Sequence, residues 1–234
     1  YKRQIQQTAA NLRSSTATVS LADTEVTGGT LRAEVEIANL AGHKLPSAYP
    51  SRRVWIHLVV TDANGSSVFD SGRFNNDGSI SGNANDEDAS RFEPHYQTID
   101  SPDQVQIYEP ILGTPDGSTT TVLLSASTYL KDNRLLPRGF DKKTADQEVE
   151  VHGGARDDHD FVGGGDRVRY TINVSKAEGP FIVEAELWYQ PIGHRWAHNL
   201  GDQEAEEIER FISYYEEAAG SSAVVVASVK AVAD

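Results

Sequence analysis

The segment Asn39-Leu-Ala-Gly-His43-Lys44-Leu-Pro46-Ser-Ala-Tyr49-Pro50-Ser-Arg52-Arg53-Val-Trp55-Ile-His57 concentrates chemistry in a short space. His43 or His57 could ligate a metal, and Lys44, Arg52 and Arg53 could hold a carboxylate. A loop serving only to turn the chain is shorter and richer in Gly, Asn and Asp. The structural alternative is a proline-shaped crossover in which Arg52 or Arg53 pairs with an acid of the same domain. His57 lies next to Trp55 on one face of a strand, which favours a structural role for it over His43.

A second group is Arg156-Asp157-Asp158-His159-Asp160-Phe161-Val-Gly-Gly-Gly165-Asp166. Carboxylates among glycines suit calcium, which takes about six to eight oxygen ligands from a flexible loop. Asp158, Asp160 and Asp166 are the candidate ligands. The spacing is not that of an EF-hand, and a solvated acidic turn leading into a strand at Arg167 explains the same residues. A third group, Lys131-Asp132-Asn133-Arg134-Leu-Leu-Pro137-Arg138-Gly139-Phe140-Asp141, reads as a salt-bridged corner or an anion clamp. In the fourth, His194 and His198 in Gly193-His194-Arg195-Trp196-Ala-His198 would share a face on a helix, as in zinc sites. No third ligand stands beside them in the sequence, and an aromatic-rich surface turn is the simpler reading.

Composition removes several functions. The chain has 21 basic and 35 acidic residues, a net charge of −14, so binding to nucleic acid or anionic lipid is disfavoured. It contains no cysteine, which excludes disulfides, a thiol nucleophile, Cys-zinc sites and covalent c-type haem attachment within these residues. There is no Gly-x-Ser-x-Gly, and Gly163-Gly-Gly165 precedes a strand rather than a helix, so neither a nucleophile elbow nor a phosphate cradle is present. The absence of methionine and the start at Tyr1 suggest a piece of a longer, processed precursor. No apolar run approaches the roughly 20 residues of a membrane span.

The elements that must position these groups are mostly strands. Leu31, Ala33, Val35 and Ile37 alternate with Arg32, Glu34 and Glu36. Val54, Ile56, Leu58 and Val60 share a face opposite Trp55 and His57. Asp62-Ala-Asn64-Gly65 predicts a hairpin turn into Ser67–Phe69. Val168–Val174 and Phe181–Tyr189 alternate likewise, and 17–21, 104–107 and 223–229 read as further strands. The Asn-, Asp- and Gly-rich stretch 72–94 predicts a long surface loop. Residues 119–136 are ambiguous between strand and a helical turn stopped by Pro137. Residues 1–13 predict a short helix, and 203–217 an amphipathic helix with Asp202 as its cap. About six to eight alternating strands indicate a mainly β fold, an antiparallel β-sandwich of immunoglobulin-like or jelly-roll-like kind. The expected organisation is a helical connector at 1–16 and one sandwich domain at 17–234.

Gly42-His43-Lys44-Leu45-Pro46 with Tyr49-Pro50-Ser-Arg52-Arg53-Val-Trp55 resembles a segment that follows the haem-bearing part of certain bacterial multihaem c-type cytochromes. Val105-Gln-Ile-Tyr108-Glu109, Leu130-Lys131-Asp132-Asn133-Arg134-Leu-Leu-Pro137-Arg138-Gly139-Phe140, Asp158-His-Asp160-Phe161 with Gly165-Asp166, and Leu187-Trp-Tyr189-Gln190 extend the resemblance in the same order over most of residues 30–200. It is to the family's non-haem, β-rich C-terminal domain. The resemblance implies an exported protein, periplasmic or extracellular, and a haem-bearing region or subunit as partner. The family's Cys-x-x-Cys-His sites are absent here, so this chain would be a non-catalytic accessory domain that docks on the haem region and supports electron transfer. His43 would then be the ligand offered to a neighbouring haem iron, with Lys44 and Arg52 near its propionates. The alternatives from the residues themselves are a freestanding, calcium-stabilised cell-surface binding module and a metal-dependent enzyme using His194 and His198.

Overall fold

The structure is a computed structural model and describes residues 2–234. Helix α1 (Lys2–Ser15) leads into β1 (Ala17–Thr27), which turns at Gly28–Gly29 into β2 (Thr30–Asn39). After the proline-rich loop come β3 (Arg53–Thr61) and β4 (Ser67–Ser71), then the short helix α2 (Ala84–Glu87) and strands β5 (Thr98–Ile99), β6 (Ile107–Tyr108), β7 (Pro110–Gly113), β8 (Thr119–Thr120) and β9 (Thr128–Asp132). β10 (Gly165–Asn173), β11 (Phe181–Gln190), α3 (His194–His198), α4 (Glu206–Ala218) and β12 (Val224–Ala233) complete the chain.

Two sheets make the sandwich. One has the order β1-β2-β10-β5, the other β12-β11-β3-β4 with β6 added along the start of β3. All pairings are antiparallel except β5 with β10. The period-2 patterns explain the layers. Leu31, Ala33, Val35 and Ile37 of β2 and Val168, Tyr170 and Ile172 of β10 face Val54, Ile56, Leu58 and Val60 of β3 and Val183, Ala185 and Leu187 of β11 across one core. Each such buried Val, Leu or Ile side chain contributes on the order of 1.5–3 kcal/mol. A small third sheet, β8-β7-β9, stands beside the sandwich. Gly165 opens β10 so close to β2 that a Cβ there would lie 2.2 Å from the Ile37 carbonyl oxygen, which accounts for the end of the glycine run.

The long stretch 72–94 departs from the surface-loop expectation. Its Phe74 and Ile80 join Trp55, Trp188, Val105 and Ile107 in a second apolar cluster on the outer face of the β3–β11 sheet. The polar alternation on that face therefore fails at Trp55, which is fully buried and donates its indole N–H to the Gly72 carbonyl at 2.9 Å. The loop is pinned by Arg53, the first residue of β3. Its guanidinium donates to both Asp86 carboxylate oxygens (2.8 and 3.0 Å), to Gln190 Oε1 (2.7 Å) and to the Gly78 carbonyl (2.9 Å). Gly78 has φ +85°, and a Cβ there would lie 2.6 Å from the Tyr215 hydroxyl, so the clamp needs glycine at that turn.

Other boundaries also moved. β1 continues to Thr27 past a bulge between Ala22 and Glu25, with Asp23 at φ +47°. Residues 119–136 hold strands β8 and β9 rather than a helical turn. α4 begins at Glu206 behind Ala205, which makes no side-chain cap, so Asp202 does not cap it. Three glutamates in its first turn complement the helix dipole instead. No helix among the described residues is long and apolar enough to cross a membrane.

Asp86→Ala would leave the Arg53 charge buried without its counter-ion. The expected loss is about 3 kcal/mol or more of unfolding free energy, read by urea denaturation; a loss below about 1 kcal/mol would show that Gln190 and the Gly78 carbonyl suffice to hold the guanidinium.

Candidate functional site

The proline-rich loop between β2 and β3 is laced to the segment after β9. Leu45 and Leu135 exchange backbone hydrogen bonds of 2.9 Å. Asn39 donates from its amide to the carbonyls of His43 and Leu135, both at 3.0 Å. Lys44 donates to Asp132 at 2.8 Å and to the Glu150 carbonyl at 3.3 Å, while Arg134 grips the same Asp132 carboxylate through Nε and Nη2. The Lys131–Asp141 stretch is thus the internal salt-bridged corner. Lys131 itself is buried, with its ammonium on the Glu93 carbonyl (2.9 Å) and Glu109 (3.2 Å). Burial lowers the pKa of both Lys44 and Lys131, and the carboxylates of Asp132 and Glu109 oppose the shift.

His43 stands out from this braced frame. Its side chain is exposed, and its Nδ1 lies 2.9 Å from the Lys44 carbonyl oxygen. A carbonyl only accepts, so Nδ1 carries the hydrogen, and in the neutral ring Nε2 keeps its lone pair. A backbone carbonyl fixing Nδ1–H in this way is the usual preparation of a histidine for ligation through Nε2. Arg52 is half-buried, gives one N–H to the Ser47 carbonyl at 3.1 Å, and lines a cleft of about 620 Å³ with Tyr49, Pro191, Trp196 and Phe211. Arg53, two residues from the cleft's Ser51, points inward to its clamp and is not available to a ligand. His57 is half-buried between Asp70 (3.1 Å) and Glu186 (3.3 Å).

A buried polar knot brings part of the acidic group together. Asp158 and Asp166, the latter on β10, meet His95, and one ligand-type atom from each lies within 4.8 Å of the others. His95 Nδ1 receives amide N–H groups from Gln106 (2.8 Å) and Asn133 (3.1 Å). Those amides cannot be turned round, because Gln106 Oε1 accepts from the Tyr96 backbone and Asn133 Oδ1 from the Glu109 backbone. His95 therefore carries its hydrogen on Nε2 and donates it to Asp158 Oδ2 at 3.0 Å. The Tyr108 hydroxyl donates to Asp166 Oδ2 at 2.7 Å. Asp158 Oδ2 and Asp166 Oδ2 are occupied by these donors, while Asp166 Oδ1 is buried without a partner, so an ion held by all three residues would have to displace the His95 and Tyr108 hydrogens. Asp160 points elsewhere, pairing with Arg169 at 2.8 Å. Of the three proposed calcium ligands, two converge and the third does not.

The knot separates the two acids. Asp166 is driven upward chiefly by burial, to about 6, with the His95 and Tyr108 contacts opposing. Asp158 is also pushed up by burial, but hydrogen bonds from His95 and the Asp160 backbone outweigh it and carry it down to about 2. His95 escaped detection in the sequence because it follows Pro94 inside a stretch of turn-forming residues. Only the neighbouring Tyr96, an aromatic in a polar segment, hinted that this part is packed.

No family model matches the chain, and no curated protein sequence matches it. Among solved structures it is similar to a penta-haem cytochrome c552 from Thermochromatium tepidum, with a TM-score of 0.54 and 15% sequence identity. The similarity covers 96% of this chain and 41% of that one, so the chain spans about two fifths of the length of the cytochrome. At this identity the likeness establishes a shared β-rich fold.

Two outcomes follow from the knot. Folded Asp166 holds its proton more tightly than an unfolded aspartate of pKa 3.8. Its contribution is complete below about pH 4 and is lost as pH rises through about 6, on the order of 3 kcal/mol across that window. Asp158 acts in the opposite sense, its contribution being lost as pH falls through about 2. Asp166→Asn, which keeps an acceptor for Tyr108, should flatten the stability profile between pH 4 and 6; an unchanged slope would refute the assignment. Calcium added at millimolar level to chelator-treated protein should leave the melting temperature where it was. A rise that Asp166→Asn abolishes would show these carboxylates to be ion ligands.

Proposed function

We propose that this chain is a non-catalytic accessory domain of an exported multihaem c-type cytochrome, docking on a haem-bearing region and supporting electron transfer there. The observation that carries this reading is the fold likeness: nearly the whole chain corresponds to a part, 41%, of a penta-haem cytochrome. The segments that resemble the cytochromes' non-haem domain support it. They lie where the structure is most tightly built: the braced loop, the salt-bridged corner and the His95 knot.

In this reading His43 is the ligand presented to a haem iron of the neighbouring region. The imidazole projects from a loop held by Asn39, Leu45 and Lys44, with Nε2 free and Nδ1 already engaged. A rigid mounting lowers the ordering cost of ligation. Lys44 serves as a brace through Asp132, and Arg52 supplies the positive charge for a propionate from the rim of the adjoining cleft. With no cysteine, the chain contributes protein ligands and shape while the haems are attached elsewhere.

The test uses the native protein purified with whatever region its gene encodes or its operon supplies. A haem absorption spectrum is expected, and His43→Ala should convert one six-coordinate haem to a five-coordinate form with a shifted visible band. Native material devoid of haem would overturn the accessory-domain reading. A haem-containing protein whose spectrum ignores His43→Ala would remove the histidine's role and leave the domain assignment standing.

A further inference from the structure

We propose that the cleft beside Arg52 is a binding site for a flat apolar ring system that carries a carboxylate. Its walls are Tyr49 from the proline-rich loop, Val122 from the segment after β8, Trp196 of α3, Leu200, and Phe211 of α4. The Tyr49 and Trp196 rings meet edge to face, with centroids 5.4 Å apart. The two histidines of α3 take no part: the His194 and His198 rings stack with centroids 3.9 Å apart, and they join no third ligand-type side chain among the described residues. The cleft volume of about 620 Å³ lies in the range of small-molecule sites, which are mostly apolar with a few placed polar groups. Tyr49, Val122 and Leu200 remain exposed although they border one cavity, so an apolar patch stands open to solvent here.

The polar groups set the chemistry of the ligand. The Ser51 hydroxyl is spent on the Pro191 carbonyl (2.9 Å), and the Asn199 amide donates to the Thr121 hydroxyl (2.9 Å). Arg52 differs. Its Nη1 donates to the Ser47 carbonyl at 3.1 Å, and its other N–H groups have no partner among the described residues. No carboxylate lines the cleft, so this half-buried guanidinium is its one charge, in a chain of net charge −14. The two other large cavities, of about 540 and 470 Å³, both carry acids: Glu25 and Glu34 line the first and Glu148 the second. A guanidinium without an internal acid selects an anion, and its planar fork matches a carboxylate. An apolar ring bearing that carboxylate meets both halves of the site, its face against Trp196 and Phe211 and its charge on Arg52. Two sources share this chemistry: a free ring acid, and the propionate-bearing edge of a neighbouring haem. The inference goes beyond the accessory-domain reading, which brings a propionate to Arg52 and gives the interior of the cleft no ligand.

Calorimetry on the native protein with 2-naphthoate should give binding at least about tenfold tighter than with 2-naphthylmethanol, the same ring system without a charge. Arg52→Gln should erase that preference by weakening the acid and not the alcohol. Leu200→Glu, a change at an exposed position of the cleft wall, should weaken the acid as well through like-charge repulsion. These results assign a free acid as the source. If a haem propionate already fills the cleft, the native protein should reject naphthoate, and Arg52→Gln should lower the haem reduction potential by removing a positive charge beside it. A protein without haem that binds naphthoate through Arg52 would keep the site and remove the haem reading. Naphthoate bound no better than the alcohol, with no haem potential that responds to Arg52→Gln, would overturn the proposal.

Discussion

The Arg53 guanidinium is the contact on which much of the architecture depends. It lies at the first residue of a central strand, is buried, and has its charge met by Asp86 while Gln190 and the Gly78 carbonyl accept from Nε and Nη2. An unpaired cation in that position would be prohibitively costly, so the chain must deliver its partners there. Asp86 arrives on α2, Gly78 on the preceding turn, and Gln190 at the end of β11. Delivering them folds the 72–94 stretch across the outer face of the sheet. Trp55, Trp188 and Phe74 are covered as a result, and Tyr215 of α4 is brought against the same turn.

The same device recurs. Lys131, Asp132, His95, Asp158 and Asp166 are all buried, and each is met by partners from distant parts of the chain. These polar joints connect the loops and the small third sheet to a sandwich whose own core is conventional. Apolar area holds the two main sheets together, while directed hydrogen bonds decide where the loops go. A loop held this way can present a side chain at a defined angle, as His43 is presented, which loosely packed loops do not achieve.

Much of this was legible in the residues. The strands at 30–39, 53–61, 165–173 and 181–190 follow from period-2 alternation because one face of each is set against an apolar core. The sandwich class follows from their number and from the turns between them. The pairing of one of Arg52 and Arg53 with an internal acid was readable as a type of interaction, and Asp158, Asp160 and Asp166 were picked out together, of which only Asp158 and Asp166 converge. Their common partner, His95, was not, since nothing local marks a histidine whose contacts are 63 and 71 residues away in sequence (from 95 to 158 and 166). Alternation placed Trp55 on the face opposite Val54, Ile56, Leu58 and Val60, where it lies, but did not show that this face is covered, because alternation is silent when a remote loop buries the other side of a strand.

By itself, then, the amino-acid sequence determined the β-sandwich class, the excluded chemistries and the segments rich in reactive groups. Those depend on residue type and short-range periodicity, which are properties of neighbours along the chain. Only the tertiary structure decided which charges are spent inside the fold, at Arg53, Lys44 and Asp160, and which remain outward, at His43, His198 and on one edge of Arg52. That division is made by burial and by partners far apart in sequence, and no local pattern encodes it.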